Sequence, residues 1–391
     1  MIKLHTFALR LARGGFFAGL AVALLGAVAT AANARRFIPQ DDSRVLAEVS
    51  PGTRHAELAA RQIAVKRLDV ALRLGEHYIK QARVTGDLRF LGYAEAVLEP
   101  WAGAAATSAD ALILYATVLQ GRHDFPGALR ILQQARRLNP DNPQALLTTA
   151  TVLRVLGRHA EALRACEQLA AHDPVVAELC RQGVRGLAGG LPAAYAVLSQ
   201  INTRGMSSEE RAWRDSELGE MAVRLGRDAE AERWFKSGLS SSPDQFHIRA
   251  AYADLLLRQG RAQEALMLLK GRENLEPLLV RIAIAQRMLR DPGLGASSAR
   301  LEAAFAAEAQ RGDGVHRREQ ARFLLDVRND AQAALVAAQE NWEIQRESDD
   351  ILVLMRAAQA AGTPQAAEPA RAFAREHGMQ DARIAAAEAR P

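Results

Sequence analysis

The sequence is short of the residues from which catalytic and metal sites are built. Of its 391 residues two are cysteine and nine are histidine, and aromatic residues make up 5%. No two histidines stand three or four apart, the spacing that puts two imidazoles on one helix face for a metal. A His-Glu-x-x-His pair, a Gly-x-Ser-x-Gly elbow and a glycine-rich loop ending in Gly-Lys-Ser or Gly-Lys-Thr are all missing. Catalytic, cofactor-binding and metal-binding residues are therefore not expected, and the chain is not read as an enzyme. Sustained alternation of Val, Ile and aromatic residues is missing too, which argues against strands and for an all-α chain.

A strong charge of either sign is absent as well. The chain carries 50 basic and 45 acidic residues. Residues 1–34 read as a secretory signal peptide: Lys3, Arg10 and Arg13 form a positive leader, and Gly14 to Val28 is uncharged and mostly apolar. Ala29-Thr30-Ala31 and Ala32-Asn33-Ala34 both offer small-residue cleavage sites, of which the cut after Ala34 is preferred. That cut removes three basic residues and no acidic one, leaving 47 against 45. The basic balance of the full chain is then no argument for nucleic acid. The expected location is periplasmic or secreted; the alternative is an uncleaved leader that anchors the chain to the inner membrane through residues 14–34.

What is abundant is alanine, and it is periodic. Alanines stand at 94, 128, 162 and 196, then at 231, 265, 299, 333 and 367; every step is 34 residues but the one to Ala231, which is 35. Glycine stands five residues before four of them, at Gly157, Gly226, Gly260 and Gly362, and proline twelve after four, at Pro140, Pro174, Pro243 and Pro277. A small residue precedes many by twelve: Ala82, Ala116, Ala150, Gly219 and Ala253. A fixed period of this length marks a repeat architecture. Each unit reads as a helix ended by a left-handed glycine, then a second helix stopped by proline. The small residues are expected where the two antiparallel helices approach closely.

This pattern resembles the tetratricopeptide repeat, which has a small residue at position eight, alanine at twenty and proline at thirty-two of its unit. The resemblance is clear over 109–174 and 212–277 and degenerate over 177–208 and 280–316. It implies a right-handed superhelical solenoid of antiparallel helix pairs, of about eight to nine repeats. The expected organisation is an extended polar strap over 35–52, one elongated, curved solenoid over 53–380 with a hinge at 280–316, and a frayed helical tail over 381–391.

The family also implies a concave face, lined by the first helix of each unit. Carrying its ligand-facing positions over residue by residue gives Arg83, Thr117, Thr151, Arg185, Glu220, Asp254, Arg322 and Arg356 at position nine. Position five gives Arg181, Ser216 and Arg318, position twelve Arg154, position thirteen Arg224 and Arg258, and position two Trp213 and His247. Arginine outnumbers acid in this set, and a guanidinium binds carboxylates with two parallel hydrogen bonds. The expected partner is another protein, an envelope component with an acidic or extended segment; nucleic acid is not expected. The expected function is a non-catalytic scaffold of the bacterial cell envelope. The alternative is an accessory subunit of an envelope export, polysaccharide or transport complex whose partner carries the chemistry. Cys166 and Cys180 lie on successive helices; an exported compartment permits a disulfide between them, and two small buried apolar residues are the other reading.

Overall fold

The structure, a computed structural model, describes residues 61, 63, 64, 66–85, 87–103, 105–311 and 316–388. The expected leader over 1–34 and strap over 35–52 lie outside the described residues. Among these residues all regular structure is helical, there is no strand, and no helix is long and apolar enough to cross a membrane.

The chain runs through α1 (Leu68–Thr85), α2 (Arg89–Leu98), α3 (Ala109–Gly121), α4 (Phe125–Leu138), α5 (Pro143–Val155), α6 (His159–Leu169), α7 (Pro174–Arg185) and α8 (Leu191–Gln200). It continues with α9 (Ser208–Arg224), α10 (Asp228–Ser241), α11 (Phe246–Arg258), α12 (Ala262–Leu269), α13 (Glu276–Leu289) and α14 (Leu294–Arg311). The last helices are α15 (Arg317–Phe323), α16 (Ala331–Trp342), α17 (Ser348–Ala360), α18 (Glu368–Glu376) and α19 (Ala382–Glu388). Helices pack in adjacent antiparallel pairs, seen best in α1/α2, α3/α4, α5/α6 and α9/α10. This is the all-α helix-pair fold that the alanine period predicts.

Contact density divides the described residues between two units, where the sequence led us to expect one body over 53–380. The smaller unit holds the described residues from 61 to 140 together with 303–311; the larger holds 141–302 and 316–388. In the smaller unit α1 and α2 close on Tyr78, Phe90 and Tyr93, whose ring centroids lie 5.6–6.3 Å apart. Arg83 belongs to this unit, and burial lowers its pKa to about 10.

The glycines read as turns adopt left-handed backbone: φ is 73° at Gly157, 72° at Gly226, 76° at Gly260 and 70° at Gly362. At one slot without glycine another residue takes the strained conformation: His123 stands five before Ala128 with φ 61°. The prolines divide into two kinds. Pro140 and Pro243 lie in turns, as stops. Pro174 instead opens α7, and Pro277 is the second residue of α13, so both start the next helix rather than end the last. Proline fits there because the first turn of a helix has no acceptor for its missing N–H. Side-chain caps complete several starts. Asp173 Oδ1 accepts from the amides of Val175 and Val176, both at 3.0 Å, and Ser207 and Glu210 form a reciprocal capping box.

The alanine ladder holds at six rungs and slips at three. Ala94, Ala128, Ala162, Ala231, Ala265 and Ala367 are fully buried. Ala196 and Ala299 are exposed and Ala333 half-buried, while Ala194, Ser298 and Ala334 are buried in their places. Two of the three slips, at 196 and 299, fall in the degenerate stretches. Here the helices rotate to bury a neighbouring small residue, since close helix approach needs a small side chain but not a fixed position. The expected frayed tail is instead a packed helix, α19, because Ile384 is buried.

Cys166 at the end of α6 and Cys180 in α7 are bridged, with Cα atoms 5.5 Å apart. The bridge closes a short loop between two repeats, for which chain entropy gives about 3 kcal/mol. Alkylation under denaturing conditions should label no cysteine before reduction and both after it, and the reduced chain should melt at lower temperature. Labelling without reductant would disprove the bridge.

The close approach of α9 and α10 is tested by two alanine substitutions with opposite expected signs. A Cβ at Gly219 would lie 2.4 Å from Phe235 Cε1, whereas one at Gly92 in α2 would meet nothing within 4 Å. Gly219→Ala should destabilise by about 1–3 kcal/mol through overpacking. Gly92→Ala should stabilise by about 0.5–1 kcal/mol through helix propensity alone. Urea unfolding of both checks this.

Candidate peptide-binding cavity

The first helices of successive repeats in the larger unit line a cavity of ≈ 810 Å³. Their register explains why. Residues 34 apart occupy equivalent places on successive helices, and such pairs recur in the lining: Glu220 and Asp254, Arg224 and Arg258, His247 and Arg281, Arg322 and Arg356. Of the positions inferred from the repeat, Arg154, Glu220, Arg224, His247, Asp254, Arg258, Arg318, Arg322 and Arg356 all line it. Four of the charged or aromatic ones do not. Arg83 sits in the smaller unit, Arg181 pairs with Glu178 on its own helix, Arg185 is exposed, and Trp213 donates Nε1 to Glu217 Oε1 at 3.4 Å.

Sequence reasoning missed Arg281, Glu319, Asp326, Glu347, Asp349 and Arg383, which also line the cavity. Arg281 was within reach: it stands 34 residues after His247, in the stretch whose text looked too degenerate to carry the spacing. Glu347, Asp349 and Arg383 come from the chain's last hairpin and helix, which no local pattern places here.

The lining carries eight arginines and six carboxylates, and most of the charges are matched. Asp254 receives two guanidiniums: Arg281 Nη2 at 2.7 Å on Oδ2, and Arg322 Nη2 at 2.6 Å on Oδ1. Burial alone would raise the Asp254 carboxyl, but the two guanidiniums outweigh it and hold it below the usual carboxylate range. Arg318 reaches Asp350 at 3.2 Å and Glu347 at 3.6 Å. Arg154 pairs with Glu217, with Glu347 4.0 Å away. Arg383 joins Asp349 at 2.8 Å to Asp381 at 2.7 Å. Nearer to water, Arg258 holds Asp228 through two bonds of 2.7 and 3.0 Å, and Arg356 holds Asp326.

Two groups depart from this matching. Arg224 is buried, makes no ion pair among the described residues, and donates Nη1 to the Gly186 carbonyl at 2.7 Å. Burial lowers its pKa. Its neighbour one turn back, Glu220, is pushed up to about 8 by burial, with the carboxylates of Glu217 and Glu347 adding to the push and Arg154 and Arg224 opposing it. Asp381, Glu220 and Glu217 act on Arg224 from a distance, but none forms an ion pair with it, and a neutral Glu220 leaves the cavity with surplus positive charge near neutral pH. Among the apolar lining, Phe246, Ile284, Met288 and Leu352 give a partner something to bury against.

A carboxyl whose folded pKa lies above its unfolded value contributes stability fully below the unfolded value and loses it as pH rises through the folded one. For Glu220 that window runs from the usual 4.5 to about 8. Glu220→Gln removes the titration. At pH 8 the variant should be more stable than the parent by about 1–3 kcal/mol, the range for an uncompensated buried polar group, and the difference should vanish near pH 4.5. A gap independent of pH in urea unfolding would refute the assignment.

The model of the tetratricopeptide repeat family matches residues 119–182. A search of curated proteins gives no match. Solved structures that resemble the chain include a thermophilic tetratricopeptide-repeat protein of Thermus thermophilus, 24% identical, covering 46% of this chain and 98% of that one with a TM-score of 0.39. A tetratricopeptide repeat protein from Parabacteroides merdae is 16% identical over 73% of this chain and 99% of its own, with a TM-score of 0.37. PilF of Pseudomonas aeruginosa is 16% identical over 66% of this chain and 97% of its own, with a TM-score of 0.32. Residues 119–182 thus match the tetratricopeptide repeat, and they lie within an all-α array of adjacent helix pairs.

Proposed function

We propose that the chain is a non-catalytic interaction scaffold of the bacterial cell envelope, and that its cavity holds an acidic, extended segment of another protein. A family of protein-binding repeats, with no enzyme family indicated, supports the scaffold reading. The leader read in residues 1–34 supports the envelope.

The observation that carries the ligand's chemistry is Arg224. A buried guanidinium that faces a cavity with no carboxylate in ion-pair contact can take one from outside, and charge-assisted bonds of this kind are the strong ones. Protonated Glu220 next to it does not compete for that role. Other arginines can change partners at little cost. The Arg258–Asp228 and Arg356–Asp326 pairs are the more exposed ones, and such pairs contribute only about 0–1 kcal/mol. Buried Arg154, Arg281 and Arg318 belong to the framework, since removing one partner of a buried pair is costly. The apolar side chains between the charges suit a segment in which acidic and apolar residues alternate.

The test is site-specific photocrosslinking in intact cells. A photoreactive residue at Met288, which lines the cavity, should give a discrete adduct with an envelope protein through an acidic stretch of its sequence. The same residue at Met267, exposed and outside the lining, should not. Replacing Arg224 by Gln and Arg258 by Ala together should abolish the Met288 adduct in a chain that still folds. Equal adducts at both positions, or an adduct indifferent to the arginines, would count against the proposal. N-terminal sequencing of the same material should begin at Arg35.

A further inference from the structure

The larger unit brings the chain's end back onto turns that lie far upstream. The amide of Arg346 donates to the carbonyl of Val155 at 3.0 Å, a backbone bond across some 190 residues of sequence. From there the last hairpin follows the glycine turns. A methyl group at Gly157 would lie 2.5 Å from Phe373 Cζ, one at Gly189 would lie 3.4 Å from the Gly378 carbonyl oxygen, and one at Gly226 would lie 3.6 Å from Ala382 Cβ. Residues 373, 378 and 382 thus meet three successive turns of the repeat array in order. The next turn, Gly260, has nothing within 4 Å of such a methyl group.

The end of this path enters the lining of the cavity. Ala382, Arg383, Ala386 and Ala387 of α19 form part of its wall. α19 is held there by a small number of groups. Arg383 spans Asp349 and Asp381, Ser348 Oγ donates to Asp381 Oδ2 at 2.5 Å, and Ile384 is its buried side chain. A solenoid cap would need only to cover the last helix pair. α19 does contact α17, but it also contacts α9, whose residues lie more than 150 positions earlier. Covering the last repeat does not account for that second contact.

The contact is also a light one. A seven-residue helix is not stable by itself in water. An alanine-rich face buries little apolar area at about 25 cal/mol per Å². The segment therefore stays where it is only while its few anchors hold, and it sits on the face that the arginines of the first helices line.

We propose that Met379–Glu388 is an autoinhibitory segment, the chain's own occupant of the cavity wall, which a partner displaces in order to bind. Displacement lowers the apparent affinity of a partner by the fraction of molecules in which the segment has left. This rests on the reading of the cavity as a partner site, but its test uses no partner, so a failure here is distinguishable from a failure of that reading.

The experiment uses the full chain and a fluorescein-labelled synthetic peptide of residues 379–388 added in trans. The unsubstituted chain, its site filled from within, should bind the peptide weakly. Arg383→Ala combined with Ile384→Ser loosens the internal copy and should bind it about ten-fold more tightly, as expected when the open fraction rises by that factor. In parallel, amide hydrogen exchange over 382–388 should be slow in the unsubstituted chain and fast in the variant. If the double variant does not fold by circular dichroism, Ser348→Ala removes one anchor alone and should give a smaller gain in the same direction. Equal peptide binding by both chains, binding by neither, or fast exchange of 382–388 in the unsubstituted chain each overturns the proposal.

Discussion

The structure depends on how closely two helices of one repeat can approach. Where the facing residue is alanine or glycine the helices lock together: six alanines of the ladder are fully buried, and Phe235 packs directly over Gly219. Locking fixes the rotation of each first helix about its own axis. Once that rotation is fixed, residues 34 apart project the same way, and side chains with no contact in sequence become neighbours on one wall. The charge pattern of the cavity is thus a consequence of small residues elsewhere on the same helices. It is the reason a larger side chain at Gly219 would disturb Glu220 and Arg224 without touching either.

The cavity's charges are largely spent on one another. Taking a guanidinium and a carboxylate out of water is costly, and their attraction repays it only with good geometry and satisfied lone pairs. Asp254 meets that condition by accepting from Arg281 and Arg322 together, and Arg318 by lying between Asp350 and Glu347. Several of these bonds cross between repeats, so the network fixes the spacing of the wall as well as its charge. What is left for a ligand is the small imbalance: Arg224 without a carboxylate in ion-pair contact, and the exposed pairs of Arg258 and Arg356. An arginine count taken from sequence overstates the attraction available to a partner, because it leaves out the carboxylates that the same repeat brings alongside.

The repeat period, the pairing of helices and the left-handed turns were all legible in the sequence, and so were nine of the residues lining the cavity. They were legible because each rests on a local rule: glycine at a positive φ, a small residue at a close contact, a constant spacing. The misses have equally local causes. His123 takes a left-handed slot that a search for glycine passes over. Pro174 and Pro277 look like stops when only the preceding helix is considered, yet both stand in the first turn of the next one. At Ala196, Ala299 and Ala333 the spacing is kept in the text but lost in space, since a neighbouring small residue serves the same packing. The return of the last hairpin to Val155 and Gly226 was not legible at all. It depends on the accumulated geometry of many repeats, which no single unit encodes.

That return also brings two titrations of opposite sense into one neighbourhood. His159 is buried beside Phe373 and His377, with ring centroids 6.0 and 5.1 Å away, and neither of its ring nitrogens has a hydrogen-bond partner among the described residues. Burial lowers its pKa to about 4, helped by His377, Arg154 and Arg224. A base depressed in this way contributes stability above its unfolded value near 6.5 and loses it as pH falls toward 4. Glu220 works the other way, losing its contribution as pH rises toward 8. Arg154 and Arg224 act on both groups, opposing the proton on His159 and favouring its loss from Glu220. The two arginines therefore hold the imidazole neutral while moderating the rise of the carboxyl. The two contributions together are largest between the unfolded values, 4.5 and 6.5, where the falling one is offset by the rising one and the imidazole and the carboxyl are both uncharged.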